Sequence, residues 1–137
     1  YISIPPASET ISPDYVGKMV IESMWSVSQY AGDFNPFHIH EGQLSGVCYL
    51  RVPPSLPAEY AKEDHYPTVG DICWFNGQAA TFSGHKHQES PKVGDIFLFP
   101  NWLAHGVYPF RTPNEERRSV SFNLHLIKKE EPQTLEN

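Results

Sequence analysis

Apolar and polar positions alternate with a period of two in several short runs separated by Gly, Pro and Asn, the pattern of strands that turn one face to a core. The run Met24 to Tyr30 sets Trp25, Val27 and Gln29 against Met24, Ser26 and Ser28, and ends at the turn-prone Ala-Gly-Asp-Phe-Asn-Pro. Phe37 to His40 and Leu44 to Val52 read as two more strands, the second closed by Pro53-Pro54. Asp71 to Phe75, Asp95 to Phe99 and Glu116 to Ile127 continue the series, and the polar stretch Gly77 to Ser90 leaves room for a short strand around Ala80. The opening Tyr1 to Pro13 shows no period and reads as a loop or edge strand. From Ser12 onward a short helix is the alternative, with Ser12 as N-cap and Pro13 at the first helical position. Ser55 to Gly70 carries no expected element and reads as a surface excursion covering a site mouth, and the tail Lys128 to Asn137 as a charged, frayed end.

Composition agrees with this pattern. Eight Phe, seven Tyr and three Trp beside thirteen Pro and nine Gly favour short strands with many turns over a helical bundle. Strands without intervening helices exclude a parallel α/β sheet and point to an all-β sandwich or barrel. With 137 residues there is material for one domain, expected to span the whole chain with its core at about residues 24–127. The chain begins at Tyr1 rather than Met, as an internal piece of a longer protein would.

Charge and hydropathy narrow the partners. A formal charge of −6 without a Lys/Arg-rich run argues against a nucleic-acid partner. No apolar stretch approaches the roughly 18 to 20 residues of a membrane span, and no signal pattern opens the chain, so a cytoplasmic location is expected. Cys48 and Cys73 lie in apolar strand-like runs and are expected as free, hydrophobe-like thiols.

The candidate chemistry lies in histidines. His38 and His40, one residue apart on a strand, would present both imidazoles to one face while Phe37 and Ile39 take the other. A third ligand must come from a distant strand, and His105, after the strand Asp95 to Phe99 and the turn at Pro100, is the best candidate. Three such ligands form one face of a metal's coordination sphere and leave the opposite positions open. Gly32 lies six residues before His38, and Gly94 six before Pro100, which itself precedes His105 by five. These spacings are the ones cupin-type β-helices use, so the expected fold is a double-stranded β-helix, a cupin-like jelly roll. A cupin also places a Glu ligand four or five residues after its second His, where this chain has Leu44 and Ser45.

With the later segments included, the chain resembles a different family. Asn35-Pro-Phe-His-Ile-His40, Ser45-Gly-Val-Cys-Tyr-Leu50, Phe99-Pro-Asn-Trp-Leu-Ala-His105 and Arg117-Arg-Ser-Val-Ser-Phe-Asn123 look like the motifs of 2-oxoglutarate/Fe(II) oxygenases of a type widespread in marine bacteria and phages. The resemblance covers about Trp25 to Asn123. It implies Fe(II) held by His38, His40 and His105, with 2-oxoglutarate as cosubstrate and its far carboxylate on Arg117. An Arg suits that role because its planar fork pairs both oxygens of a carboxylate while staying charged. On the same strand Arg117, Ser119, Ser121 and Asn123 share a face, so Ser119 and Asn123 are expected at the cosubstrate; Tyr49, on one strand face with Ser45, is a further expected contact, with burial in the barrel wall as the alternative. Most such enzymes have Asp or Glu where this chain has His40, which makes the site more positive by one unit and leaves room for Zn or Ni.

The expected activity is oxidation, most often hydroxylation, of an unidentified small-molecule or peptide substrate, with 2-oxoglutarate converted to succinate. Two other classes fit parts of the pattern: a cupin-like metalloenzyme without 2-oxoglutarate, such as a thiol dioxygenase or isomerase, and a non-catalytic β-sandwich binding module. For Arg117 the alternative is a solvated charge on an edge strand beside Glu115 and Glu116, with Arg118 facing inward in the other register. His85 and His87 repeat the His-x-His spacing in a polar segment and read as surface or loop residues, His65 and His125 belong to no ligand spacing in the sequence, and Glu41 reaches a metal only through a bulge. Ser45 shares a face with Tyr49; Trp25 and Trp102 are expected to pack, and Asn35 to orient a His or substrate or to cap the turn.

Overall fold

The structure is a computed structural model, and it describes residues 16–62, 65, 67–78, 81–82 and 84–128. Its strands are β1 (Val16–Gln29), β2 (Asn35–His38), β3 (Leu44–Arg51), β4 (Ile72–Phe75), β5 (Lys86–Glu89), β6 (Ile96–Pro100), β7 (Ala104–Val107) and β8 (Arg117–Lys128), with one short helix, α1 (Leu56–Tyr60). They form two four-stranded sheets, β1-β8-β3-β6 and β2-β7-β4-β5, in which every paired neighbour is antiparallel. The chain alternates between the sheets on both sides of the β4–β5 hairpin, so its two halves wind as one double-stranded β-helix. The expected all-β jelly roll is therefore the observed fold.

The core lies between the sheets. On β3 the inward positions Ser45, Val47 and Tyr49 are buried, while Leu50 is exposed. On β6 Phe97 and Phe99 turn inward and Ile96 and Leu98 outward. Val47, Tyr49, Ile72, Trp74, Phe99, Leu103 and Val107 make the main cluster, drawn largely from β3, β4, β6 and β7. The β1, β2 and β8 side is left hollower, and the cavity described below opens there. A second cluster, Leu56, Val69 and Phe110, seats α1 against the loops below the sheets.

Several expectations change. Residues 16–20, which the alternative helix from Ser12 would have included, belong to β1, where pairing with β8 continues along the strand to Lys128. The opening loop or edge strand at Tyr1 to Pro13 lies outside the described residues, as does the tail beyond Lys128, the last residue of β8. The 55–70 stretch contains α1, where Pro57 stands in the first turn and Glu59 reaches the backbone N–H groups of Arg111 and Thr112. Ala80 is outside the described residues, and the strand of that region is β5, six residues later. Arg117 is not on an edge, since β8 runs between β1 and β3. Cys48 and Cys73 are free thiols, as expected. Trp102 does not pack, being 51% exposed. Among the described residues no helix is long and apolar enough to cross a membrane.

Candidate metal centre

His38 and His105 meet because β2 and β7 pair in a register that makes them direct cross-strand partners. Two glycines hold the turns leading to this region. Gly32 (φ +86°) and Gly94 (φ +92°) adopt a left-handed backbone with open space where a side chain would be, so the backbone rather than crowding selects glycine. His40 arrives differently from expectation. β2 ends at His38, and strand alternation therefore does not place His40. Asn101, in the β6–β7 turn, places it instead: the His40 N–H donates to the Asn101 carbonyl (3.0 Å), and the Asn101 Nδ2 donates to the His40 carbonyl (3.1 Å).

The result is a cluster in which one ligand atom from each of His38, His40 and His105 lies within 4.8 Å of the others. It is the one group of three or more metal-ligating side chains among the described residues. In both His38 and His105 the Nδ1 faces a backbone carbonyl two residues upstream, that of Pro36 (2.6 Å) and of Leu103 (3.0 Å). A carbonyl only accepts, so Nδ1 carries the proton and Nε2 keeps its lone pair. Burial, reinforced by His38 and His40, depresses the His105 pKa to about 4 against the opposing pull of its Leu103 bond. His40 is lowered by burial and then by His38. Three imidazoles that bring one ring nitrogen each to a common point are the donor set a divalent transition metal takes, at roughly 2.0–2.1 Å per bond. The residues fit a mononuclear metal ion.

The cluster lies on the wall of a cavity of about 420 Å³ lined, among others, by Trp25, Gln29, Phe34, Asn35, Tyr49, Ser119 and Ser121. Trp25, expected to pack, stands at the cavity with its ring 5.5 Å from that of His40. Phe99 backs the site, 4.6 Å from the His105 ring. Tyr49 and Ser119 are buried in the cavity wall, and burial pushes the Tyr49 phenol up to about 12, leaving it protonated. Arg117 is 1% exposed and points inward, whereas Arg118 is exposed and paired with Glu116, so the inward register of β8 is the one that carries Arg117. The Arg117 guanidinium donates to the Gly70 carbonyl (2.5 Å) and to Gln29 Oε1, and lies behind the cavity wall. Burial lowers its pKa, opposed by Tyr49 and Asp71; a guanidinium stays charged all the same. Asn123 is not at the cavity: its Oδ1 accepts from Ser45 Oγ (3.1 Å).

The remaining histidines stand apart from the cluster. His87 Nε2 lies 2.9 Å from Glu89, and its ring stacks near Trp74; His85 lies near Phe75; His125 is exposed on β8. Glu41 is exposed and is not in the cluster. The sequence reading missed Gln29, Asn101 and the two carbonyls that orient the imidazoles. Asn101, directly after Pro100 in the predicted turn, was the one with a positional signal.

Residues 23–123 match the family model described as Putative 2OG-Fe(II) oxygenase. The chain belongs to this family. Fe(II) and 2-oxoglutarate are the cofactor and cosubstrate of the family's chemistry, and the match takes in all three histidines as well as Arg117 and Ser119. No curated protein matches the chain.

Proposed function

We propose that this oxygenase couples the oxidative decarboxylation of 2-oxoglutarate to hydroxylation of a small-molecule or peptide substrate, with Fe(II) held by His38, His40 and His105. The observation that carries this reading is three imidazole donors within 4.8 Å on the wall of a 420 Å³ cavity. When bound, Fe(II) would supply the redox chemistry toward O2 that side chains lack.

The protein's part is binding, orientation and exclusion of water. His38, His40 and His105 would hold the ion at the cavity wall, within reach of a cosubstrate in the cavity. Ser121, Ser119 and Arg117 alternate along one face of β8, spaced by roughly 6.6 Å, as a ladder: Ser121 and Ser119 line the cavity with the histidines, and Arg117 lies behind its wall at the Gln29 end, the cavity floor. The far carboxylate of 2-oxoglutarate belongs at the foot of this ladder, where Arg117 supplies the positive charge and Ser119 and Tyr49 supply hydroxyl donors. Trp25 and Phe34, on the cavity wall, offer apolar surface to a substrate. Two neutral carbonyls hold His38 and His105 in the tautomer that binds metal, and no protein general base is required.

The test is succinate production from 2-oxoglutarate by the Fe(II)-loaded protein in air. Wild type should form succinate, and His38→Ala and Arg117→Met should each lose at least roughly tenfold of that rate. A protein that binds Fe(II) and consumes O2 with a candidate substrate, yet ignores 2-oxoglutarate and tolerates Arg117→Met, would be a cupin-like enzyme of another class.

A further inference from the structure

Gln29 lies outside the motifs that marked the site in the sequence, yet its position at the cavity floor is specific. It is the direct cross-strand partner of Arg117, is 7% exposed and lines the cavity, whereas the Arg117 guanidinium stands behind it. The bond between them decides which way the amide points. A guanidinium has donors only, so Arg117 Nη2 must meet the Gln29 oxygen, Oε1. The Nε2 group, with two N–H donors, is then the end not committed to Arg117.

Three neutral donors thus share the floor: the Gln29 amide, the Tyr49 phenol and the Ser119 hydroxyl, all on the cavity wall. The positive charge sits one bond further back, anchored by Gly70. A carboxylate accepts from every one of these groups, and the buried cation balances its charge. A carboxamide in the same place is neutral: it leaves the buried Arg117 charge unbalanced, and its N–H2 can be accommodated only by turning the Tyr49 or Ser119 hydroxyl from donor to acceptor.

Resting on the reading that the far carboxylate of 2-oxoglutarate lies at the Arg117 end of the cavity, we infer that Gln29 donates directly to it and that Arg117, besides balancing its charge, acts as a positioning residue that fixes the amide. The floor thereby selects a carboxylate over a carboxamide. Gln29→Glu inverts the chemistry: the new carboxylate pairs with Arg117, repels a second carboxylate, and accepts from a carboxamide.

The experiment is calorimetric titration of the Zn(II)-loaded protein, which does not turn over, with 2-oxoglutarate and with its 5-carboxamide analogue. Wild type should bind 2-oxoglutarate and discriminate against the analogue. Gln29→Glu should weaken 2-oxoglutarate by roughly 10- to 100-fold and gain affinity for the analogue. Gln29→Met, close in size, should weaken 2-oxoglutarate without that gain, and it carries the test if Gln29→Glu does not fold. Stoichiometric Zn(II) binding and an unchanged far-ultraviolet spectrum establish folding. Wild-type affinity in Gln29→Met, or loss in Gln29→Glu with no gain for the carboxamide, overturns the inference. If Gln29→Met binds normally while Arg117→Met does not, Arg117 contacts the carboxylate alone and the broader reading survives. If Arg117→Met also binds normally, the carboxylate lies elsewhere and that reading fails.

Discussion

His38 and His105 share one device, a carbonyl two residues upstream that takes the Nδ1 proton and leaves Nε2 for a metal. Substituting either with Ala should abolish stoichiometric metal binding, whereas the double change His85→Ala, His87→Ala should leave it intact; metal analysis of the purified variants checks both. The spacing of His38 and His40 made that pair readable, because two side chains so close in sequence share a neighbourhood whichever element carries them. Gln29 and Asn101 were not readable in the same way. Each is defined by a partner many residues away, Arg117 or His40, and a register between distant strands leaves no mark in local sequence. Asn123 shows the reverse error: parity alone put it with Arg117, but its distance along β8 takes it past the cavity to Ser45.

Glu59 carries the pH dependence at this scale. Burial opposes its charged form, but hydrogen bonds from the Thr112 side chain, the Arg111 and Thr112 N–H groups and Ser55 outweigh burial and lower its pKa. A carboxyl lowered on folding stabilises the protein above its unfolded pKa, and that contribution is lost as pH falls through the lower folded value. Glu59→Gln should therefore destabilise by about 1 to 3 kcal/mol at neutral pH, and the gap to wild type should close in acid. Thermal unfolding of the two proteins from pH 7 down to pH 3 measures it.

Among the elements, β3, β6 and β8 were legible because β-forming residues alternate there over a long enough run. The strands β5, Lys-His-Gln-Glu, and β7, Ala-His-Gly-Val, have no such composition. They are strands because β4 lies between them and pairs with both. Helix α1 was missed since five residues are too few for a helical period to show. Polarity also misleads on β6, where the outward Ile96 and Leu98 are 60% and 57% exposed. The turn before β6 gives an element-scale prediction. Gly94→Ala adds no clash but forces a side chain into a left-handed backbone, a cost of about 1 to 2 kcal/mol. It should lower the melting temperature by several degrees while metal binding stays stoichiometric, as differential scanning calorimetry and metal analysis would show.

For the whole molecule, two sheets that exchange the chain strand by strand bring β2, β7 and β8 around one cavity, although their residues span 35 to 128. The glycine spacings and the His-x-His pair signalled this closure in the sequence, and the family match over residues 23–123 agrees with it. The depth of Arg117 was not legible, because an Arg beside two glutamates has the composition of a surface. Its burial follows only from the central place of β8 in its sheet. The most direct test of the account is an anaerobic titration of the apoprotein with Fe(II) in the presence of 2-oxoglutarate, followed by visible absorption. A charge-transfer band that saturates at stoichiometric Fe(II), is lost in His38→Ala and His105→Ala and weakened in Arg117→Met, is the predicted result. A folded protein that takes up no Fe(II), or one that takes it up and shows no band with 2-oxoglutarate, would contradict it.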